Sequence, residues 1–411
     1  MTSTTVVVGS SVGGVRTAQA LRSAGYEGEV VLVGEEETLP YDKPPLSKAL
    51  LSGDATAGSI TLLTEREASD ADIRLRLGRA ATRLDTTEQF VELADGERLA
   101  YDSLVIATGA RARPAPWGQP PGVHVLRTLS DATALGRDLR RGGPLVVIGA
   151  GFVGAEVAAT ARTMGVADVA VVDPVAVPLS RVLNPPVAEL FTRLHTERGV
   201  MTHFGVGVTG IEATDDGLTV HLGDGSELAA ATVVVGIGAL PNDEWLHSSG
   251  LRIEDGVVCD QYCRAIGGPG VYAVGDVARW FHPRHGRLTR VEHWTNAVEQ
   301  AACVAHNIAH PGQLRAHEPF EYVWSDQYDW KIQLTGRTGA ELDHLTVHGT
   351  DPDRSFAVLY GDRDGTFAGA LTVNWPRALI LCRRAVSTAP PVEEVRHSME
   401  TTVKHAARRA G

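Results

Sequence analysis

Cysteine is scarce in this sequence: 411 residues include only Cys259, Cys263, Cys303 and Cys382. So few cysteines exclude a disulfide-stapled secreted scaffold. A run of 18 apolar residues is also missing, since the longest candidate, residues 145–155, is interrupted by glycines and followed by Glu156. The first residues form neither a basic leader nor a long apolar segment, so we expect no signal peptide and a cytoplasmic location.

Positive charge is not in excess either. The chain has 38 basic and 50 acidic residues, a formal net charge of -12. This balance argues against a general nucleic-acid or anionic-membrane binder, although it allows a local basic patch. Glycine is abundant, with 44 residues, and 43% of the sequence is hydrophobic. Such a length and composition predict two or three folded domains with many tight turns.

The first glycine cluster is VVVGSSVGG, residues 6–14. The valines predict a buried strand, residues 15–24 predict a helix, and residues 30–33 predict a second strand that ends near Glu35. Strand, glycine turn, helix, strand and acid follow one another in a Rossmann unit. The pattern G-x-G-x-x-G is imperfect, because Ser11 occupies the second glycine position. Alone, this stretch fits an ordinary glycine-rich turn as well as it fits a phosphate cradle.

A second cluster, LVVIGAGFVGAE at residues 145–156, repeats the pattern without a defect. Gly149, Gly151 and Gly154 occupy the three glycine positions, and a strand at residues 169–172 leads to Asp173. A chance glycine cluster does not reproduce strand, helix and terminal acid twice. We therefore interpret both stretches as dinucleotide cradles.

Two cradles predict two dinucleotides, and the useful combination is a nicotinamide with a flavin. Two more strand ends support this interpretation. Residues 104–109 end in Thr108 and Gly109, and residues 270–276 end in Gly275 and Asp276. A carboxylate at the carboxyl end of a sheet strand can accept hydrogen bonds from a ligand's sugar chain, whereas Asp276 taken alone would be read as a helix N-cap.

Several short motifs resemble the FAD-containing, NADH-dependent ferredoxin reductases of cytochrome P450 and aromatic-ring dioxygenase systems, the putidaredoxin reductase-like family. PPLSK and WSDQ are specific to this group, whereas the glycine motifs occur in many flavoproteins. The resemblance covers essentially the whole chain. The motifs are PPLSK at residues 44–48, LRTL at 126–129, GD at 275–276, VEHW at 291–294 and WSDQ at 324–327.

The resemblance implies an α/β fold with two Rossmann-like dinucleotide-binding domains, of the glutathione-reductase-like type, plus an α+β C-terminal interface domain. The FAD-binding domain is expected at residues 1–112 and 245–320, the NAD-binding domain at 113–244 and the C-terminal domain at 321–411. Residues 111–122 form a proline-rich linker between the first two domains, and residues 238–241, which begin with glycine and end with proline, lead back to the FAD-binding domain. Both stretches agree with this division.

The resemblance also supplies residues expected to bind FAD. Arg127 would pair with the pyrophosphate, since a guanidinium suits phosphate oxygens. Trp294 would cover the pyrimidine end of the flavin, and Trp324 would approach the ring from the C-terminal domain; the other tryptophans are expected to be packing or surface residues. The expected FAD-binding residues are Gly9, Ser11, Gly13, Gly14, Glu35, Lys48, Ala81, Thr108, Gly109, Arg127, Asp276, Trp294 and Trp324.

Lys48 and Glu156 are the expected catalytic residues. Lys48 resembles the family lysine near flavin N5, where a cation favours the anionic reduced flavin. Glu156 resembles the glutamate that faces the same spot from the NAD-binding domain. We expect the two side chains to form an interdomain ion pair.

For the nicotinamide cofactor, Asp173 is the most informative residue. A carboxylate at the end of the second strand accepts the ribose 2′-hydroxyl and repels a 2′-phosphate, so we expect NADH to be preferred over NADPH. Arg181 is close enough in sequence to weaken that preference. The expected NADH-binding residues are Gly149, Gly151, Gly154, Glu156, Asp173, Arg181 and Gly238.

The electron acceptor is inferred from the missing cysteines. Disulfide reductases of this fold carry C-x-x-C or C-x4-C, and oxidases use one early cysteine; this chain has neither. Cys259 and Cys263 are therefore expected to be structural, and electrons must leave the flavin directly. The natural acceptor is a [2Fe–2S] ferredoxin that docks transiently through charge. We expect no metal, nucleic-acid or membrane site, and a monomer or weak dimer.

An acidic ferredoxin needs a basic docking patch. Arg279, Arg284, Arg287 and Arg290 lie in a segment without acids and are expected to contribute to it. A second run, Arg74, Arg76, Arg79 and Arg83, is expected to be a solvated strand face. Three alternatives stay open: a rubredoxin reductase, an apoptosis-inducing-factor-like NADH-binding flavoprotein, and a small-molecule reductase such as monodehydroascorbate reductase.

Overall fold

The computed structural model describes residues 3–319 and 321–410. Within these residues no helix is both long and apolar enough to cross a membrane. The helices are α1 (Val12–Ser23), α2 (Ala49–Ser52), α3 (Glu65–Asp70), α4 (Leu129–Arg141), α5 (Phe152–Thr163), α6 (Pro185–Glu197), α7 (Trp294–Ala309), α8 (Pro376–Thr388) and α9 (Val392–Ala410).

The strands are β1 (Thr4–Val8), β2 (Glu29–Val33), β3 (Ile73–Arg76), β4 (Ala81–Asp85), β5 (Phe90–Leu93), β6 (Arg98–Ala100), β7 (Ser103–Ile106), β8 (Ala110–Ala112), β9 (Val123–His124), β10 (Leu145–Ile148), β11 (Val169–Asp173), β12 (Met201–Phe204), β13 (Val208–Thr214), β14 (Gly217–Leu222), β15 (Glu227–Ala230), β16 (Thr232–Val235), β17 (Ala239–Pro241), β18 (Val257–Cys259), β19 (Val271–Ala273), β20 (Ala278–His282), β21 (Arg287–Arg290), β22 (Tyr322–Gln327), β23 (Trp330–Gly336), β24 (Asp343–His348), β25 (Phe356–Gly361) and β26 (Phe367–Val373).

The chain folds into two compact units. The first unit comprises Met1–Lys43, Thr56–Arg111 and Ala239–Pro319, and the second comprises Pro44–Ala55, Ala112–Gly238 and Phe320–Gly411. The short segment Pro44–Ala55, which contains the PPLSK motif, therefore packs with the second unit, although it lies inside the stretch 1–112 expected to bind FAD.

The first unit is built on a parallel sheet with strand order β19-β7-β1-β2-β3. Both neighbours of β1 run parallel to it. The valines of β1 are buried on both faces, as a parallel strand covered on each side requires. On one face α1 packs with α7 over the sheet, and on the other face lie the antiparallel sheet β4-β5-β6 and the sheet β18-β20-β21.

The second unit repeats this architecture with the parallel order β12-β11-β10-β16-β9. Helices α4 and α5 cover one face, and the antiparallel sheet β13-β14-β15 covers the other. Leu51, in the short α2, is fully buried in the core beneath α4, with Leu135 and Leu139.

The C-terminal part of the second unit is an antiparallel sheet of order β22-β23-β26-β25-β24 with α8 and α9. Cys382 and Met399 of these helices pack on one side of the sheet. On the other side, Phe191 of α6 joins a core with Val358 and Leu371. The prediction of two Rossmann-like domains plus an α+β C-terminal domain is confirmed.

Candidate functional site

The first glycine cradle joins β1 to α1. Gly9 has a φ of +115°, and a Cβ there would lie 2.1 Å from the carbonyl oxygen of Ala107. A Cβ on Gly14 would lie 1.8 Å from the carbonyl oxygen of Gly9. Gly13 is buried, and a Cβ on it would lie 3.2 Å from the side chain of Val274. Glycine is therefore required at the turn and where the helix meets the strand.

Ser11 occupies the one position of the G-x-G-x-x-G pattern where the backbone conformation does not require glycine. As N-cap of α1 it has a φ of -87° and a ψ of -169°, which any residue adopts. Gly151, at the same position of the second cradle, has nearly the same conformation, with a φ of -71° and a ψ of 179°. The Ser11 side chain forms no capping hydrogen bond within the described chain, so its hydroxyl is available to a phosphate oxygen.

The second cradle joins β10 to α5. A Cβ on Gly149, which has a φ of +103°, would lie 2.3 Å from the carbonyl oxygen of Gly236, and a Cβ on Gly154 would lie 2.0 Å from that of Gly149. At Gly151 and Gly238 a Cβ would meet no described heavy atom within 4 Å. Gly151, the N-cap of α5, has no side chain that could accept hydrogen bonds from the first-turn N–H groups. An uncapped helix N-terminus beside an open glycine fits a dinucleotide phosphate.

The acids after the second strands differ. Asp173 uses both carboxylate oxygens: Oδ2 accepts the N–H of Ala150 at 2.8 Å and Oδ1 accepts that of Val175 at 2.8 Å. It thus fixes the cradle turn as well as ending β11. Arg181 is exposed beyond it, and Glu35, two residues after β2, is also exposed. Their predicted ribose contacts stay predictions.

The remaining expected FAD residues of the first unit lie near the strand ends. Thr108 donates its hydroxyl to the carbonyl oxygen of Asn242 at 2.8 Å, and the Asn242 N–H donates to Gly109 at 2.9 Å, so the Thr-Gly turn is anchored. Ala81 begins β4 and is half-buried. Asp276 is inside the 3₁₀ turn Gly275–Val277, whose N-cap is Val274, so Asp276 is not a helix cap.

Trp294, the first residue of α7, has a partner that the sequence did not reveal. Its indole Nε1–H donates to Asp42 Oδ1 at 2.7 Å. Burial raises the pKa of Asp42, while the Trp294 hydrogen bond acts in the opposite direction. Asp42 lies two residues before the PPLSK motif, and this position is the sequence signal that could have pointed to it.

Lys48 and Glu156 form an ion pair, as expected, with 2.6 Å between Nζ and Oε2. The pair does not join two units, as an interdomain pair would, because Pro44–Ala55 packs in the second unit together with Glu156. Glu156 is only 5% exposed, and its Oε2 also accepts the Ser47 hydroxyl at 2.5 Å. Lys48 Nζ donates as well to the carbonyl oxygen of Pro44 at 3.1 Å. Thr160 of α5 donates to the Ser47 carbonyl oxygen at 2.8 Å and holds the segment in place.

The WSDQ motif supplies the rest of this polar cluster. Ser325 Oγ donates to Glu156 Oε1 at 2.7 Å, and Gln327 Nε2 donates to Ser325 Oγ at 3.2 Å. Both side chains are fully buried. The sequence marked the motif, but not that its serine and glutamine serve Glu156. His195 of α6, which contacts Gln327 at 3.1 Å, carried no sequence signal.

Arg127 and Trp324 also lie in the second unit. Arg127 precedes α4, and its backbone N–H donates to Asp131 Oδ2 at 3.0 Å. Trp324 of β22 is half-buried and stacks on Tyr322, with ring centroids 5.9 Å apart. Their predicted contacts with FAD stay predictions.

The four cysteines, all among the described residues, are free thiols. Burial raises the pKa of Cys382 to about 12 and that of Cys259 further still. A thiol with so high a pKa is a poor nucleophile, because the thiolate is the reactive form. Cys259 and Cys382 are therefore unreactive, whereas a hydrogen bond from Cys263 lowers the pKa of the half-buried Cys303.

Both arginine runs contain ion pairs. The run in β3, β4 and the turn between them pairs with neighbouring acids, as expected of a solvated strand face: Arg74 with Glu29, Arg76 with Glu97, Arg79 with Asp95 and Arg83 with Asp85. In the hairpin β20–β21, Arg290 pairs with Asp255 and Glu292. Arg284 and Arg287 are exposed at the tip, where Arg284 also donates to the carbonyl oxygen of Pro319 at 3.0 Å.

Comparison with known proteins agrees with this geometry. Residues 3–301 match the family described as pyridine nucleotide-disulphide oxidoreductase, and residues 322–403 match the reductase C-terminal family. Rhodocoxin reductase of Rhodococcus erythropolis is 38% identical over 394 residues, which are 94% of this chain and 90% of that protein. Putidaredoxin reductase of Pseudomonas putida is 37% identical over 396 residues, 94% and 92% of the two chains.

Two solved structures are also similar. The putidaredoxin reductase of the covalent putidaredoxin reductase–putidaredoxin complex has a TM-score of 0.89 and 33% identity, covering 97% of this chain and 99% of that one. The ferredoxin reductase for a P450 system of Rhodopseudomonas palustris also has a TM-score of 0.89, with 33% identity over 96% of this chain and 97% of that one. The chain belongs to the pyridine nucleotide-disulphide oxidoreductase family and carries the reductase C-terminal domain.

Proposed function

We propose that this protein is an NADH-dependent ferredoxin reductase, which passes electrons from NADH through FAD to a [2Fe–2S] ferredoxin of a cytochrome P450 or ring-hydroxylating oxygenase system. The observation that carries the proposal is the pair of glycine cradles with matching geometry, one in each unit. Relatives named as ferredoxin reductases of such systems, similar along the whole chain, support the acceptor.

Each unit contributes its own residues to this function. Residues 1–112 and 245–320 are assigned to FAD, with segment Pro44–Ala55 packed in the second unit, and residues 113–244 are assigned to NADH. Bound FAD supplies the chemistry, because it accepts two electrons from the nicotinamide and releases them singly. The protein's task is to bind the two dinucleotides and to hold the Lys48 ammonium against Glu156.

NADH is the proposed donor because of Asp173. Its carboxylate closes the turn of the second cradle and places negative charge at the end of β11. Negative charge at that position disfavours a ribose 2′-phosphate.

The exposed tip of hairpin β20–β21 is the proposed ferredoxin docking surface. Arg284 and Arg287 are exposed there, and Arg290 of the same hairpin pairs with Asp255 and Glu292. Exposed arginines steer an acidic partner and make association depend on salt. The proposed location is the cytoplasm, where free cysteines such as these stay reduced.

Spectroscopy with purified protein tests the proposal. NADH should bleach the flavin absorbance, and cytochrome c should then be reduced rapidly only after a [2Fe–2S] ferredoxin is added. A protein that retains no FAD, or whose bound FAD NADH does not reduce, would contradict the proposal.

The same assay separates the alternatives. Equal rates with rubredoxin would favour a rubredoxin reductase, and fast reduction of monodehydroascorbate would favour a small-molecule reductase. A flavin that NADH reduces but that passes electrons to none of these acceptors would favour a role like that of apoptosis-inducing factor.

A further inference from the structure

A buried chain of hydrogen bonds in the second unit ends at Glu156. It starts at Tyr328, whose hydroxyl is 3.0 Å from His195 Nδ1. His195 Nε2 is 3.1 Å from Gln327 Oε1, Gln327 Nε2 is 3.2 Å from Ser325 Oγ, and Ser325 Oγ is 2.7 Å from Glu156 Oε1. The chain thus joins the loop after β22 and helix α6 to the ion pair with Lys48.

The donors in this chain all point the same way. A carboxamide oxygen can only accept, so His195 must donate from Nε2 to Gln327 and carry its proton there. Its Nδ1 then accepts the hydroxyl of Tyr328. Gln327 donates through Nε2 to Ser325, and Ser325 donates to Glu156, an acceptor-only carboxylate. Every member donates toward the carboxylate that holds the lysine.

The protonation states required by this direction agree with the burial of the groups. Burial lowers the pKa of His195 to about 4, so the imidazole is neutral at pH 7 and one nitrogen can accept. Burial raises the pKa of Tyr328 to about 12, although Arg162 and Arg198 act in the opposite direction. Tyr328 therefore keeps the proton that it donates.

The far end of the chain is tied down by charge. Arg198, one turn beyond His195 at the end of α6, forms an ion pair with Asp329, the residue after Tyr328. Asp329 also pairs with Arg354 at 2.9 Å. The loop that carries Tyr328 is thereby fixed to α6 at the point where the chain of donors begins.

We propose that Ser325, Gln327 and His195 are positioning residues for hydride transfer, which hold the Glu156 carboxylate in one orientation and, through it, the Lys48 ammonium. This inference rests on the proposed function, because it assigns the C-terminal sheet a part in the reaction of the NAD-binding cradle. Ser325 satisfies Oε1, while Ser47 and Lys48 satisfy Oε2. Without Ser325 a buried, charged oxygen loses its donor, and the carboxylate reorients toward whatever donor remains.

Ser325→Ala is the decisive variant, with Ser325→Thr as the conservative one that keeps the hydroxyl. The matched control is Thr372→Val on β26 of the same sheet, since Thr372 is fully buried and its hydroxyl has no hydrogen-bond partner among the described residues. The flavin-reduction rate at saturating NADH and the NADH Kd are measured by stopped-flow. We expect S325A to slow reduction about tenfold, the factor that a hydrogen bond to a charged group represents, with the Kd changed by less than about twofold.

A second readout does not depend on the reaction. The chain has four lysines, Lys43, Lys48, Lys331 and Lys404, so acetylation by an amine reagent can be followed lysine by lysine with mass spectrometry. Exposed Lys331 is the internal reference. Relative to Lys331, Lys48 should be acetylated several-fold faster in S325A than in wild type. Glu156→Gln should show the same increase, whereas S325T and T372V should not.

The outcomes separate the two proposals. S325A that matches T372V in both reduction rate and Lys48 labelling would overturn the positioning role. So would an S325A effect that persists undiminished in the E156Q background, because Ser325 would then act by another route. If NADH fails to reduce the wild-type flavin, the proposed function falls, while the labelling comparison still decides whether Ser325 positions the ion pair.

Discussion

Acidification should destabilise this protein through His195. The imidazole is 6% exposed, and both ring nitrogens are engaged, with Tyr328 and Gln327. Protonation would add a proton to Nδ1, which accepts the hydrogen bond from the Tyr328 hydroxyl, so two donors would face each other. It would also place a positive charge in a buried site. The unfolded chain imposes neither cost, so the proton is bound more readily after unfolding.

The size of the effect follows from the pKa. Burial lowers the pKa of His195 from 6.5 to about 4. Between these values the unfolded state binds more protons than the folded state, so the free energy of unfolding falls as the pH falls from about 6.5 to 4. The loss reaches about 2 kcal/mol at pH 5 and about 3 kcal/mol at pH 4, at about 1.4 kcal/mol for each pH unit.

Urea unfolding at pH 7 and pH 5 measures this loss. Part of the wild-type loss comes from other groups, so the informative quantity is the difference from a variant. His195→Gln keeps a side-chain N–H for Gln327 but cannot titrate, and should lose about 2 kcal/mol less than wild type between the two pH values. His397→Gln, at an exposed position of α9, is the control and should keep the wild-type loss.

An H195Q variant that loses as much stability as wild type between pH 7 and pH 5 would refute this reasoning. It would mean that the folded protein takes up the proton as easily as the unfolded chain does. The directed chain of donors from Tyr328 to Glu156 would then lack the neutral histidine that it requires.

Three further predictions concern the cofactor and partner surfaces. Gly151→Ala should unfold in urea like wild type, because its Cβ meets no described atom within 4 Å, but it should raise the NADH KM about tenfold. Gly154→Ala should instead lose several kcal/mol of stability in urea, because its Cβ would lie 2.0 Å from a carbonyl oxygen. Asp173→Ala should narrow the kcat/KM ratio of NADH over NADPH and also raise the NADH KM, since Asp173 accepts the Ala150 N–H of the cradle; an unchanged ratio would remove Asp173 from nucleotide selection. Arg284→Glu with Arg287→Glu should raise the ferredoxin KM at low salt and leave ferricyanide reduction unchanged, and unaltered ferredoxin kinetics would exclude the hairpin as the docking surface.

The cradles could be predicted from the sequence because their physics is local. Within about ten residues the pattern specifies a buried strand, a turn with positive φ and a close helix contact. Gly9 and Gly149 have the positive φ, and Gly14 and Gly154 make the close contact. Ser11 departs from the pattern only where the backbone conformation is ordinary. The family motif also located the Lys48–Glu156 pair.

The surroundings of that pair could not be predicted, because they depend on contacts between distant parts of the chain. Ser325 is 169 residues from Glu156, and Gln327 is 132 residues from His195. Asp42 and Trp294 are 252 residues apart. A serine, a glutamine or a histidine in isolation has no pattern that identifies its partner, so the sequence marked WSDQ as a motif without revealing its purpose.

The burial of Leu51 has a practical consequence for engineering. This side chain fills the core beneath α4, although 84 residues separate it from Leu135, the next buried residue of that core along the chain. In a chimaera that takes only residues 113–244 from a relative, Leu51 would pack against side chains of the other protein. If residues 113–244 were produced alone, their core would contain a cavity the size of a leucine side chain. Domain grafts between such reductases should therefore transplant residues 44–55 together with residues 113–244.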